Sequence, residues 1–337
     1  MAQAVTAEFV VNTLRSEWQN NPDVTTLRNG NVVVVWDSFN LDHDVQYGAA
    51  QIYRPNGTRI GTETILTDLG RIANYPRIEA LPGGGFAMAW ESSVGSVLNR
   101  TVIHTAVFND NGQRISPIRE VSQPLNDYYF APEVVARADG GYSVIWSKRG
   151  PSPGETPFNG EDSFIRSFAR DGTPITPTFE INQRQFGSQH NLRAERLSNG
   201  NIVTVWESDY PGTSPYETPS DFRGRIIGAN GRPIGSEFGL APDTNSPNSG
   251  FALTDADVDV AALTGGRFVA TWADTVLGGR PGGETAYSPL RPHLRCRGAG
   301  GRPGLQGQHA GQRDPRSFQH RRAEGRRLRG AVGPMGG

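Results

Sequence analysis

The sequence predicts an all-β fold, a β-propeller of four-stranded antiparallel blades with five recognisable repeats and a damaged sixth. Three observations carry this. An apolar run ending in Trp occurs five times, a turn dipeptide stands before each run, and a second turn dipeptide follows four of them.

The five phrases are "RNGNVVVVW", "GGGFAMAW", "ADGGYSVIW", "SNGNIVTVW" and "TGGRFVATW", and they end at Trp36, Trp90, Trp146, Trp206 and Trp272, so the interval lengthens slowly along the chain. Six positions before each Trp stands Gly30, Gly84, Gly140, Gly200 or Gly266, preceded by Asn29, Gly83, Asp139, Asn199 or Gly265. Such pairs accept positive φ at both central positions of a type I′ turn. The spacing therefore predicts hairpins over 22–36, 76–90, 132–146, 192–206 and 258–272. Their first strands ("PDVTTL", "PRIEAL", "PEVVAR", "LRAERL", "VDVAAL") alternate in part. Their second strands are almost continuously apolar, as expected of a strand covered on both faces.

A second hairpin turns at Gly57, Gly112, Gly172 and Gly231, each preceded by Asn or Asp, and leads into "ETIL", "REVS", "FEIN" and "FGLA". Four antiparallel strands in about 55 residues, repeated in tandem, describe a propeller blade. The opening "EFVVN", residues 8–12, matches the fourth strand "FEIN". Placed beside the last blade, it closes the ring and removes exposed sheet edges. A fragment cut from a longer array is the other reading of the same match.

Composition agrees with short strands and tight turns: Gly 42, Pro 24, three Met and one Cys in 337 residues. The net charge of −1 conceals an asymmetry. Residues 280–337 hold 12 Arg against Glu284, Asp314 and Glu324, a charge of +9, which leaves −10 on residues 1–279. An acidic body speaks against a nucleic-acid footprint and suits cation binding or solubility. No apolar run reaches the length of a membrane span. The start, "MAQAVTAEFVVNT", lacks the basic and long apolar regions of a cleavable signal. Cys296, the one cysteine, lies in the basic tail, so a disulfide framework and a Cys-based zinc site are excluded.

Residues 1–279 are thus read as propeller repeats and 280–337 as a disordered tail translated in a shifted frame. Read one nucleotide later, the codons of Leu305 to Ala310 permit F-K-V-N-T, and those of Arg326 to Gly333 permit G-G-F-V-V-x-W. The separation of Leu305 from Val332 equals that of Phe9 from Trp36 and of Phe179 from Trp206. The frame shift is placed between Trp272 and Leu294. On this reading the histidines of the tail and Cys296 carry no evolved chemistry.

The connections between second and third strands vary most and fall on one face of a propeller, where ligands bind. The ligand-face candidates are Asp37, His43, Glu91, Glu207, Asp209 and Asp274, each at or just beyond a Trp-ended strand. Asp42 and Asp44 are candidate calcium ligands, although calcium needs six to eight oxygens and two carboxylates only begin a site. Asp255 to Val260, "DADVDV", lacks the Gly and distal Glu of an EF-hand loop. No G-x-S-x-G, H-E-x-x-H or P-loop occurs, and no spacing selects a catalytic carboxylate pair. His104 and His190 read as structural histidines.

The combination "EFVVNT", "NPDVTTLRNGNVVVVWDS" and "QIYRPNGTRIGTE" resembles repeats of large secreted bacterial proteins of the RTX or hemolysin-type calcium-binding group, adhesin-like members included. There, F-x-V-N-T, P-x-V-x-x-L-x-x-G-G-F-V-V-x-W and R-F-x-x-x-G-x-x-x-G recur in tandem. The likeness covers residues 8 to about 280, without the G-G-x-G-x-D nonapeptide. It implies an extracellular, type I secreted setting and a non-enzymatic module that binds a glycan or a protein, with calcium as the only cofactor in view. A propeller glycoside hydrolase and a non-functional truncated product are the alternatives.

Overall fold

A computed structural model describes residues 9–13, 18–40, 45–67, 73–93, 101–122, 128–149, 160–184, 187–209, 220–240, 258–274, 277–279, 285–287 and 291–297. The fold is all-β. Sheet one is the meander β1 (Trp18–Thr26), β2 (Val32–Asn40), β3 (Val45–Tyr53) and β4 (Arg59–Ile65). Unit two runs β5 (Ala73–Ala80), β6 (Phe86–Ser93), β7 (Thr101–Phe108) and β8 (Arg119–Glu120). Unit three runs β9 (Tyr128–Ala136), β10 (Tyr142–Arg149), β11 (Glu161–Phe168) and β12 (Phe179–Glu180), joined to unit two by one parallel pair, Thr101 with Tyr128. Unit four is β13 (Gln189–Arg196), β14 (Ile202–Asp209), β15 (Ser220–Ile227) and β16 (Pro233–Gly239). Unit five holds β17 (Val258–Leu263) and β18 (Arg267–Asp274). A small hairpin of β19 (Leu277–Gly279) and β20 (Thr285–Tyr287) follows, then β21 (Arg291–Arg297), which pairs with β18 in the place of a third strand.

The hairpins form where the turn residues stand, eight of them by a different turn, whereas at the ninth Gly265 and Gly266 both have positive φ, +73° and +70°. Leu27 N–H donates to Asn31 O at 2.7 Å and Gly30 N–H to Leu27 O at 2.9 Å, and the same two bonds recur at 54–58, 81–85, 109–113, 137–141, 169–173, 197–201 and 228–232. This is a three-residue loop, a type I turn followed by one left-handed Gly, rather than the expected type I′. Gly30 has φ +81°, whereas Asn29 is not left-handed. Asn29 instead accepts the N–H of Asn31 on its side chain at 2.9 Å, as Asn56 does from Thr58 and Asn199 from Asn201. The Asn–Gly pair thus works as an Asx turn plus a positive-φ glycine.

The cores lie between successive sheets. Val33, Val35 and Ile52 meet Phe86, Met88 and Trp90. Ala87, Ala89 and Val107 meet Tyr142, Val144 and Trp146. Ile145 and Ile165 meet Ile202 and Trp206, and Val203 and Val205 meet Val258 and Phe268. Because alternate side chains of a second strand face opposite neighbours, β6 is buried from Phe86 through Ser92. Trp90, Trp146 and Trp206 each pack onto the preceding sheet. Burying one such indole fully stabilises by about 3–5 kcal/mol relative to Ala.

First strands pack side by side, β1 with β5, β5 with β9, β9 with β13 and β13 with β17. At one fixed offset before each Trp, these strands carry Asp23, Arg77, Glu133, Arg193 and Asp259, alternating acid and base. Arg193 Nη1 lies 3.5 Å from Glu133 Oε1. Neighbouring charges of opposite sign offset part of their desolvation cost where the first strands pack.

Candidate functional site

The site is at the ends of β10, β11, β13 and β14. His190 and Glu207 stand opposite each other on β13 and β14. The imidazole Nε2 is 3.2 Å from Glu207 Oε2, and Nδ1 is 3.8 Å from Asp209 Oδ2. Two features of β13 and β14 put them there. A bulge between His190 and Arg193 holds Asn191 at φ +54°, and Asp209 N–H donates to Ser188 O at 2.8 Å. Ser188 also bridges to Glu161, the first residue of β11. Glu161 is gripped by Arg149, whose Nε donates to Oε1 at 2.9 Å and whose Nη2 bonds the same oxygen.

The imidazole lies between two carboxylates. Burial pulls the His190 pKa down, but the Glu207 hydrogen bond and the charges of Asp209, Glu207 and Glu161 outweigh it and leave it raised. Burial pushes the Asp209 carboxyl up to about 6; the His190 charge opposes this, and Glu207 and Glu161 add to it. Glu207 is buried, whereas His190 and Asp209 are 24% and 26% exposed. A partly exposed carboxyl whose pKa burial lifts to about 6, with the Arg149-bound Glu161 close enough to act on it, is equipped for proton transfer.

One donor atom from each of His190, Glu207 and Asp209 lies within 4.8 Å of the others, close enough to share a divalent cation. One imidazole and two carboxylates suit a borderline metal, and nothing in this set selects calcium, which takes an all-oxygen shell.

The sequence candidates divide. Glu207 and Asp209 lie together with His190, which the sequence reads as a structural histidine. Its signal was available: it is the cross-strand neighbour of the residue after Trp206. Glu161 and Arg149 were not anticipated, because only the β10–β11 pairing and the Ser188 bridge bring them to the site. Asp37 and Glu91 are buried and point to backbone. Asp37 Oδ2 accepts from Asn21 Nδ2 at 2.7 Å and from Tyr75 N–H of the next unit at 3.1 Å. Glu91 Oε1 accepts from Ala131 N–H of the next unit at 2.8 Å. Asp274 closes β18. Asp42, His43 and Asp44 lie outside the described residues, and among the described residues no helix is long and apolar enough to cross a membrane.

No family model matches the chain, and no curated protein matches it. Solved structures match in fold. The GH93 α-L-arabinofuranosidase of Fusarium graminearum, complexed with arabinobiose, has a TM-score of 0.50 at 10% identity, over 77% of this chain and 77% of that one. The α-L-arabinanase of Penicillium chrysogenum, complexed with arabinobiose, has a TM-score of 0.49 at 14% identity, over 76% and 77%. The α-L-arabinofuranosidase of Lactobacillus brevis has 0.44 at 10%, over 82% and 90%. The neighbour at 0.50 is a glycosidase and not an RTX or adhesin repeat protein, which corrects the sequence expectation. The resemblance to RTX, hemolysin-type calcium-binding and adhesin repeats falls, and with it the reading as a non-enzymatic binding module. The physical reason is that F-x-V-N-T and G-G-F-V-V-x-W write a strand and a hairpin that any stacked four-stranded unit needs. They specify a fold and leave function to the site.

Proposed function

We propose that this chain is a carbohydrate-active enzyme, a glycoside hydrolase built as a β-propeller over residues 1–279, with its catalytic groups at the edge shared by units three and four. The observation that carries the reading is the pairing of Asp209, raised to about 6 by burial, with Glu161, held by Arg149, around His190. The activities of the fold neighbours supply the substrate class, glycans, with arabinose-containing ones first to try.

Asp209 gives its proton to the glycosidic oxygen as the C–O bond to the anomeric carbon breaks. Water adds its hydroxyl to that carbon, and its proton passes to Glu161. His190, fixed by Glu207, faces Asp209 and tunes its proton affinity. Release of reducing ends from arabinan and a panel of aryl glycosides tests this. Asp209→Asn and Glu161→Gln are each expected to cut the rate by about 10²–10⁴ with the fold retained. A folded wild type that hydrolyses none of the panel, or an Asp209→Asn variant with full activity, overturns the assignment.

A second reading, in which Asp209 is ionised and not the acid, is a divalent cation held by His190, Glu207 and Asp209, which would supply Lewis acidity at this edge. A rise in thermal midpoint with zinc or manganese that His190→Ala abolishes is the expected sign.

A further inference from the structure

Residues 9–13 are seated on sheet one as the end of unit three is seated on unit four. Val11 O accepts from Arg59 Nη2 at 3.0 Å and Tyr53 Oη at 3.2 Å, and Thr13 N–H donates to Glu63 Oε2 at 2.9 Å. In the later pair of units, Ile181 O accepts from Arg225 Nη1 at 2.9 Å, and Gln183 N–H donates to Glu237 Oε2 at 2.8 Å. The sequences agree, since Phe9-Val10-Val11-Asn12 precedes Trp36 by the same interval as Phe179-Glu180-Ile181-Asn182 precedes Trp206. Phe179 and Glu180 pair with β11, and Asn182 Oδ1 accepts the β11 N–H of Ser163 at 2.8 Å. Among the described residues, no strand pairs with 9–12.

Three further observations locate what this segment belongs to. Trp90, Trp146 and Trp206 pack on a whole preceding sheet, whereas Trp36, with Tyr47 and Ala49, has Val11 as its described neighbour from outside sheet one. Successive first strands pack on one another, and among the described residues no comparable packing joins β17 to β1. The charge alternation ends on Asp259 and begins on Asp23, so direct closure would set two acids side by side.

We propose that a sixth four-stranded unit fits between unit five and sheet one, that residues 9–12 are its outermost strand, and that its first two strands are encoded up to Val332 in a shifted frame. Gln319 stands as far before Val332 as Asp23 stands before Trp36, which makes it the counterpart of that acid. One nucleotide later its codons permit only Asn or Ser, so the sixth inner strand separates Asp259 from Asp23 without a third acid. This inference rests on the ring arrangement and not on hydrolysis, so its test reads stability.

The coding DNA is sequenced, and the chain as written is compared with one in which the frame is restored between Trp272 and Leu294. The restored chain is expected to melt about 5 °C or more higher and to protect residues 9–13 from protease. Asn12→Ala is expected to lower its midpoint further than that of the chain as written, where Asn12 Nδ2 donates to Gln19 Oε1 at 2.7 Å. Asn182→Ala, in an existing unit, lowers both and serves as the control. An intact frame in the DNA, a restored chain no more stable, or an Asn12→Ala variant that shifts both chains equally overturns the proposal.

Discussion

The residue after each Trp shows how one sequence position can hold two kinds of acid. Asp37 and Glu91 bond the backbone N–H of a left-handed residue in the next unit, Tyr75 at φ +49° and Ala131 at φ +50°. A buried amide deprived of its acceptor is costly, so Asp37→Ala and Glu91→Ala are each expected to lose about 1–3 kcal/mol in denaturant titrations. Glu207 occupies the same position but meets His190, and two residues on, where Phe39, Ser93 and Arg149 stand in other copies, unit four has Asp209. Since the proposed acid must be protonated, activity is expected to fall as pH rises through about 6, the value to which burial lifts Asp209. The His190 charge holds that carboxyl down, so His190→Ala is expected to move this alkaline limb to higher pH, which a pH–rate profile reads directly.

At the scale of elements, the turn glycines separate by what surrounds them. A Cβ on Gly141 would come within 2.3 Å of Phe168 O, and one on Gly85 within 2.2 Å of Phe108 O at φ +72°. Gly57, at φ +79°, has open space around it. Gly85→Ala and Gly141→Ala are therefore expected to destabilise well beyond the roughly 1 kcal/mol of Gly57→Ala, because the third strand's carbonyl must move. Thermal unfolding of the three variants checks the order. The Asn–Gly, Asp–Gly and Gly–Gly pairs made every hairpin legible in sequence, but not the turn type, which depends on the register of the strands that the loop joins. The strand-one bulges at Asn21, Tyr75, Ala131 and Asn191 were not legible either. Nothing in a Tyr or an Ala announces positive φ; it is imposed by the paired strand and, at Tyr75 and Ala131, accepted by a carboxylate from the preceding unit, far away in sequence.

For the whole molecule, packing runs from each sheet to the next, so stability is shared among the interfaces rather than held in one centre. Several acids are caught inside this stack. Burial pushes Glu79, Glu91 and Glu133 up to about 7 from an ordinary value of 4.5. Between those values the folded chain binds more protons than the unfolded one, so stability is expected to fall as pH rises from about 5 to about 8. His190, also raised, contributes with the same sign, whereas Asp139, lowered by its bond to Arg137, changes protonation only at lower pH and adds nothing over this range. Melting curves across that range check the slope, and Glu133→Gln is expected to flatten it.

What the sequence by itself determined is local and periodic: where chains turn, which strands are covered on both faces, and that the unit recurs. Those features follow from φ preferences and from side chains pointing alternately to opposite faces, which a repeat of five copies makes unmistakable. Only the tertiary structure decided that Glu161, Arg149, His190 and Asp209 share one edge, because a parallel bridge between neighbouring units joins positions that no period relates. Proton affinity followed the same division. A carboxyl becomes a usable acid through burial and through the charges packed beside it, and neither is a property of its place in the chain.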